Sequence, residues 1–166
     1  IMVPEILDFL QIQPGQTGFD ATLGYGGHTR AMLTKLNGHG HIYATDVDPE
    51  ESAKTRKRLA DLGFGDDILT IRLQNFCTID EIAREAGGFD FLLADLGVSS
   101  MQIDNPKRGF SFKMDGPLDL RLNQEKGISA AQRLETISLD ELAGMFYENS
   151  DEPYSDEIAR AITDYI

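Results

Sequence analysis

The stretch Asp20-Ala-Thr-Leu-Gly-Tyr-Gly-Gly-His28 puts Gly24, Gly26 and Gly27 in a turn between strand-like residues and a helical pattern. Glycines there reach backbone angles closed to other residues and leave no Cβ between the main chain and a ligand. The first amides of the following helix aim at the same place. The chemistry this suits is cofactor binding, although a plain connection can also be rich in glycine, so partner residues decide the matter. Asp46 follows about twenty residues later, the offset at which a carboxylate accepts hydrogen bonds from both hydroxyls of a ribose. It could instead cap a helix, but Asp48, immediately before Pro49, suits that role better. Phe76 could stack on an adenine ring or be an ordinary core aromatic at a strand end. Asp95 stands near the end of an apolar run, where a lone buried carboxylate would cost on the order of several kcal/mol without partners. It either serves a function or caps the next turn. His28 opens a helix and is read mainly as the donor of a backbone amide. His28, His39 and His41 have no metal-ligand spacing, and Cys77 reads as a small buried hydrophobe.

The elements that must position these residues follow from periodicity and punctuation. Pro4 with Ile6, Leu7 and Leu10 predicts a short helix packed on the sheet edge and ending before Gln13-Pro14-Gly15. A strand over Phe19–Leu23 leads into the glycine turn. The helix after it carries Met32, Leu33 and Leu36 and stops at Asn37-Gly38, a left-handed cap signal. His41–Thr45 is a second strand, and a helix capped by Asp48 runs to about Leu62. Ile68–Leu73 is a third strand, Thr78 to Glu81 a capping box for a helix that closes at Gly87-Gly88, and Phe89–Leu96 a fourth strand buried on both faces. Strands alternating with helices predict a doubly wound α/β sheet. Residues 97–127 hold no clear period and are long for a connector, which marks a functional segment. Helices then follow over Ser129–Glu135, after a second capping box at Ser138 to Glu141, and through Ile158, Ile162 and Tyr165.

The chain's 166 residues suffice for one domain with a proper core. Fifteen Lys and Arg against 28 Asp and Glu give a net charge of -13, which repels polyanions and counts against autonomous nucleic-acid binding. One cysteine excludes an intrachain disulfide and a cysteine-rich metal site, no apolar run is long enough to span a membrane, and no signal-peptide pattern starts at Ile1. These features fit a soluble, cytoplasmic protein or a fragment of one. Sequence gives no oligomeric state.

Between a dinucleotide and S-adenosylmethionine, the glycines favour the latter. The dinucleotide pattern G-x-G-x-x-G/A needs a third small residue where Thr29 stands. A methyl donor has no pyrophosphate to seat, so the glycines would admit its methionine moiety, with Asp95 near the cationic end. A nicotinamide-dependent oxidoreductase remains the alternative enzyme class.

Four ordered blocks, Asp20-x-Thr-x-Gly-x-Gly-Gly-His28, Asp46-x-Asp-Pro49, Asp95-Leu-Gly-Val-Ser-Ser100 with Gln102, and Arg108-Gly-Phe-Ser-Phe-x-x-Asp-Gly-Pro-Leu-Asp119, closely resemble the ribosomal RNA small-subunit methyltransferase H family. The resemblance covers nearly the whole chain. It implies a Rossmann-like class I S-adenosylmethionine-dependent methyltransferase fold with a partial parallel sheet. Residues 1–117 would be the donor-binding core and 118–166 the start of a helical RNA-recognition insert. It also implies methylation of N4 of a cytidine in 16S rRNA of the small ribosomal subunit, and a donor held by Gly26, Gly27, His28, Asp46, Phe76, Asp95 and Gln102. Asp95 would be the catalytic residue, with its carboxylate or the backbone carbonyl beside it accepting a hydrogen bond from the cytosine amine; no metal is expected. The block from Arg108 to Asp119 would close over donor and target base, where composition alone suggests a packed surface loop. Met101 departs from the family's usual proline, and Asn149 to Pro153 from its Tyr-Gly-Glu-Glu-Arg. Family members are substantially longer, so the chain reads as an N-terminal fragment that could bind the donor without turning it over.

Overall fold

A computed structural model describes residues 2–166. Ile1 lies outside the described residues. The chain forms two compact units, divided after Ser99.

In the first unit, α1 (Val3–Leu10), β1 (Thr17–Asp20), α2 (Gly27–Leu36), β2 (His41–Asp46), α3 (Pro49–Asp61), β3 (Leu69–Leu73), α4 (Ile79–Ala86) and β4 (Phe91–Leu93) alternate as the periodicity predicts. The four strands are parallel in the order β3-β2-β1-β4. Successive residues of a strand face opposite sides, and the two sides are covered by different helices. Ile42 and Ala44 of β2, with Leu69 and Ile71 of β3, join Met32, Leu33 and Leu36 of α2 and Leu59 of α3 in the larger core. Leu7 and Leu10 of α1 pack against that core as well. Phe19 and Tyr43 face the other side, with Ile82 of α4 and Phe89. The layers are therefore those of a doubly wound sheet.

Local signals account for most boundaries. Asp48 accepts from the amides of Glu50 and Glu51 and opens α3 ahead of Pro49. Asn37, at φ 51°, closes α2 in the left-handed region. Three expectations change. β1 ends at Asp20 rather than Leu23, because beyond it the chain leaves the regular ladder even though the Ala21 amide still donates to Leu93 and that of Leu23 to Thr45. The expected capping box at Thr78 does not form. Asn75 instead caps a 3-10 turn over Phe76–Thr78, and Thr78 Oγ1 donates to the Asn75 carbonyl. β4 is three residues long, not eight, and lies at the edge of the described sheet, with Phe91 buried but Leu92 47% exposed. The idea of a central strand covered on both faces is thus corrected.

The second unit contains α5 (Ser100–Asp104), a 3-10 turn at Pro106–Arg108, α6 (Ala130–Leu134), α7 (Leu139–Ser150) and α8 (Ser155–Tyr165). α7 and α8 pack through Leu142, Ala143 and Ala159. Ser129 and Gln132 form a full capping box on α6. Ser138 caps α7 from one side only, while the Glu141 carboxylate pairs with Arg133. Between α5 and α6 the chain is irregular but tightly folded. The Arg108 guanidinium donates to the Leu122 carbonyl, and Leu120 N donates to Arg108 O. At Gly109, φ 74°, a Cβ would lie 2.1 Å from the Pro117 carbonyl oxygen. This self-packing is the local property expected of a surface loop, but Phe112 at its tip is 98% exposed.

Among the described residues, no helix is long and apolar enough to cross a membrane.

Candidate functional site

The chain steps from β1 outward to β2 and β3, then returns to place β4 on the other side of β1. Ligands of open α/β sheets bind beyond the carboxyl ends of the strands at such a reversal. Four loops of the first unit leave from those ends. The glycine turn follows β1, Asp46 is the last residue of β2, Phe76 follows β3, and Asp95 follows β4.

The glycine turn and Asp46 are joined directly. Asp46 Oδ2 accepts from Gly24 N at 2.7 Å, and Oδ1 accepts from Asp48 N at 2.9 Å. Capping of α3 is left to Asp48, so Asp46 does not serve as a helix cap. Each of its oxygens accepts one backbone amide in this pair of bonds, and a carboxylate oxygen can accept a second hydrogen bond. Gly26, at φ 78°, stands before the first residue of α2, and no side chain caps that helix. A Cβ added at Gly27 would meet nothing within 4 Å, so the main chain there is open to an approaching group.

Beneath the turn lies a carboxylate to which the sequence reading gave no role. Asp20 is buried, and its Oδ1 accepts from Thr22 N at 3.0 Å while Oδ2 accepts from Thr29 Oγ1 at 2.6 Å. Burial pushes its pKa above the ordinary carboxylate value; the hydrogen bonds from Thr29 and Thr22 oppose that shift without cancelling it. Thr22 continues the connection, since its Oγ1 accepts from Asp95 N at 2.9 Å. The loops after β1 and β4 are thereby tied together.

Asp95 itself differs from its expected setting. It lies beyond β4 rather than within it, and its side chain is 58% exposed, so the cost of burying a lone carboxylate does not arise. Its Oδ2 lies 3.7 Å from His28 Nδ1, whose side chain is largely buried. The His28 side chain therefore lies beside Asp95. Phe76 is 41% exposed rather than enclosed in the core. Cys77 is exposed too, contrary to its reading as a buried hydrophobe. Gln102 is a buried residue of α5, in the second unit. Among the described residues, no group of three or more His, Cys, Asp or Glu side chains could hold a metal ion.

A parallel sheet with this strand order and this reversal is a Rossmann-like α/β fold. Its likeness to a solved protein-L-isoaspartate O-methyltransferase, at a TM-score of 0.50 and 11% identity over 58% of this chain and 29% of that one, is a likeness of fold. Residues 1–165 match the model of the MraW methylase family, and the chain belongs to that family. It is 78% identical, over its full length, to Ribosomal RNA small subunit methyltransferase H 1 of Agathobacter rectalis, and 70% identical to the protein of that name from Lachnoclostridium phytofermentans. The chain spans about half the length of these relatives, 48% and 45% respectively.

Proposed function

We propose that this chain supplies the S-adenosylmethionine-binding part of an enzyme that methylates N4 of a cytidine in 16S rRNA of the small ribosomal subunit, in the cytoplasm. The main support is the bonding of the Asp46 carboxylate to Gly24, which sets a ribose acceptor beside an uncapped helix start. The residue types suit the donor. Asp46 takes the ribose hydroxyls, Phe76 stacks on adenine, and the main chain of Gly26, Gly27 and His28 admits the amino-acid end, with Gln102 a further donor-binding residue by resemblance. These assignments follow the family resemblance, and Gln102 rests on it alone.

When bound, the donor supplies an electrophilic methyl group on a sulfonium. Asp95 accepts a hydrogen bond from the exocyclic amine of cytosine, whose lone pair is otherwise delocalised into the ring, and so raises electron density on that nitrogen. The His28 imidazole lies 3.7 Å from this exposed carboxylate. Positioning of the target base accounts for much of the rate, and a base in single-stranded or looped RNA is unstacked at low cost. Residues 118–166 begin a helical insert that takes part in RNA recognition.

The test is transfer of labelled methyl from S-adenosylmethionine to small ribosomal subunits lacking the modification, by this chain and by its full-length relative from Agathobacter rectalis. Label on cytidine N4 of 16S rRNA supports the proposal; label on another atom or another RNA refutes it.

A further inference from the structure

Helix α3 touches the glycine turn at two points that no sequence signal marks. Thr55 is fully buried, and its hydroxyl donates to the Gly24 carbonyl at 2.6 Å. Arg58 Nη1 donates to the Tyr25 carbonyl at 2.7 Å and to Thr55 Oγ1 at 3.0 Å. The guanidinium carbon also lies 3.5 Å from the centroid of the Tyr25 ring. A Cβ on Gly26 would come within 2.7 Å of the Thr55 methyl, so the turn is packed against α3 as well as bonded to it.

The other basic residues of α3 point away from the glycine turn: Lys54 pairs with Glu50 and Glu51, Lys57 with Asp61, and Arg56 with Asp66 while donating to the Ile71 carbonyl. Arg58 is directed at the main chain and ring of Tyr25. A charged donor on a carbonyl combined with a cation–π contact is a stronger restraint than an exposed ion pair. It acts on the two residues of the turn in the left-handed region, Gly24 and Gly26 at φ 47° and 78°, beside the bond from the Gly26 amide to the Leu23 carbonyl. The opposite side of the same turn is the Gly24 amide held by Asp46.

We propose that Thr55 and Arg58 are positioning residues for donor binding. They hold the Gly24–Gly26 turn in the shape that lets the start of α2 and the Asp46 carboxylate meet a single ligand. The proposal rests on the donor site described above and adds what keeps that site formed. If release of the clamp leaves about a tenth of molecules with a competent turn, apparent affinity falls about tenfold.

Calorimetric titration with S-adenosylhomocysteine tests this. Thr55→Val and Arg58→Ala should each weaken binding about tenfold, while Thr55→Ser, which keeps the hydroxyl, and Lys57→Ala, which removes an exposed ion pair, bind like the parent. Without ligand, amide exchange at Gly24–Gly27 should quicken in the two weakened variants while β2 stays protected, a local effect that general destabilisation would not give. Parental affinity in both Thr55→Val and Arg58→Ala, or equal loss in Thr55→Ser and Thr55→Val, overturns the clamp and leaves the donor site standing. Absence of binding by the parent chain overturns both. Should Arg58→Ala fail to fold, the Thr55 pair decides the question.

Discussion

The Asp46 carboxylate bonds to the Gly24 amide at 2.7 Å, so the acceptor proposed for the donor's ribose is also the anchor of the glycine turn. Its second oxygen holds Asp48 N, which fixes its orientation from the other side. Shape and charge at this position are therefore inseparable.

Asp46→Asn should for that reason weaken S-adenosylhomocysteine binding by about tenfold or more. An amide offers one acceptor oxygen and would turn an NH2 group toward a backbone N–H, leaving two donors face to face. Calorimetry on the folded variant checks this, and affinity within about twofold of the parent would show that neither oxygen matters to the ligand.

Asp20→Asn should be tolerated. In the unfolded chain the carboxyl titrates near its ordinary 3.8, whereas burial raises it in the fold. Between those values the native state binds more protons, so stability falls as pH rises through the window, and the full cost of the buried charge is present above it. The amide keeps the shape without that charge. Urea unfolding at about pH 7 should find the variant at least as stable as the parent, with its advantage shrinking toward about pH 4. A clear loss of stability at neutral pH would mean that the fold requires the anion.

Asp119 has the opposite sign. The Arg121 side chain, in a two-pronged pair with the Asp119 carboxylate, holds that carboxyl down to about 2 from an ordinary 3.8. The stabilisation is present above the unfolded value and is lost as pH falls from 3.8 toward 2. Arg121→Ala should lower stability by a constant amount above about pH 5, and that difference should narrow on further acidification. A difference that ignores pH would place the role of Arg121 elsewhere.

Gly109→Ala should destabilise the second unit by more than about 1 kcal/mol, since it adds both a left-handed strain and a clash with the Pro117 carbonyl. Hydrogen exchange should show the effect over residues 106–122, with β1 and β2 unchanged. Uniform exchange across the chain would contradict this local origin.

Much of the first unit was legible because its helices and strands carry their own punctuation. Asp48-Pro49 opens α3 and Asn37 closes α2 by chemistry that acts over a few residues. Asp48, the better placed of the two aspartates for the cap, is the one that accepts from Glu50 and Glu51. The expectation for β4 failed on partners distant in sequence, and that for Thr78 on a local competitor. The apolar run at Phe89–Leu96 indicates a need for burial, but β4 has a hydrogen-bonded neighbour on one side only, and Leu92, Leu96 and Asp95 are exposed. Thr78 has the spacing of a cap, yet its hydroxyl goes to Asn75. Thr55 and Arg58 could not be found in advance, because in a stretch of alternating charges they resemble any solvated helix face. Asp20 left one signal: an acidic residue at the end of an otherwise apolar strand, beneath the turn it supports.

The central claim is that the carboxyl edge of this sheet holds a methyl donor. Its most direct test is calorimetric titration of the chain with S-adenosylhomocysteine and, separately, with NAD. The account predicts saturable one-to-one binding of S-adenosylhomocysteine that is weakened by Asp46→Asn, and no binding of NAD. Preference for NAD, or S-adenosylhomocysteine binding indifferent to Asp46→Asn, would contradict it.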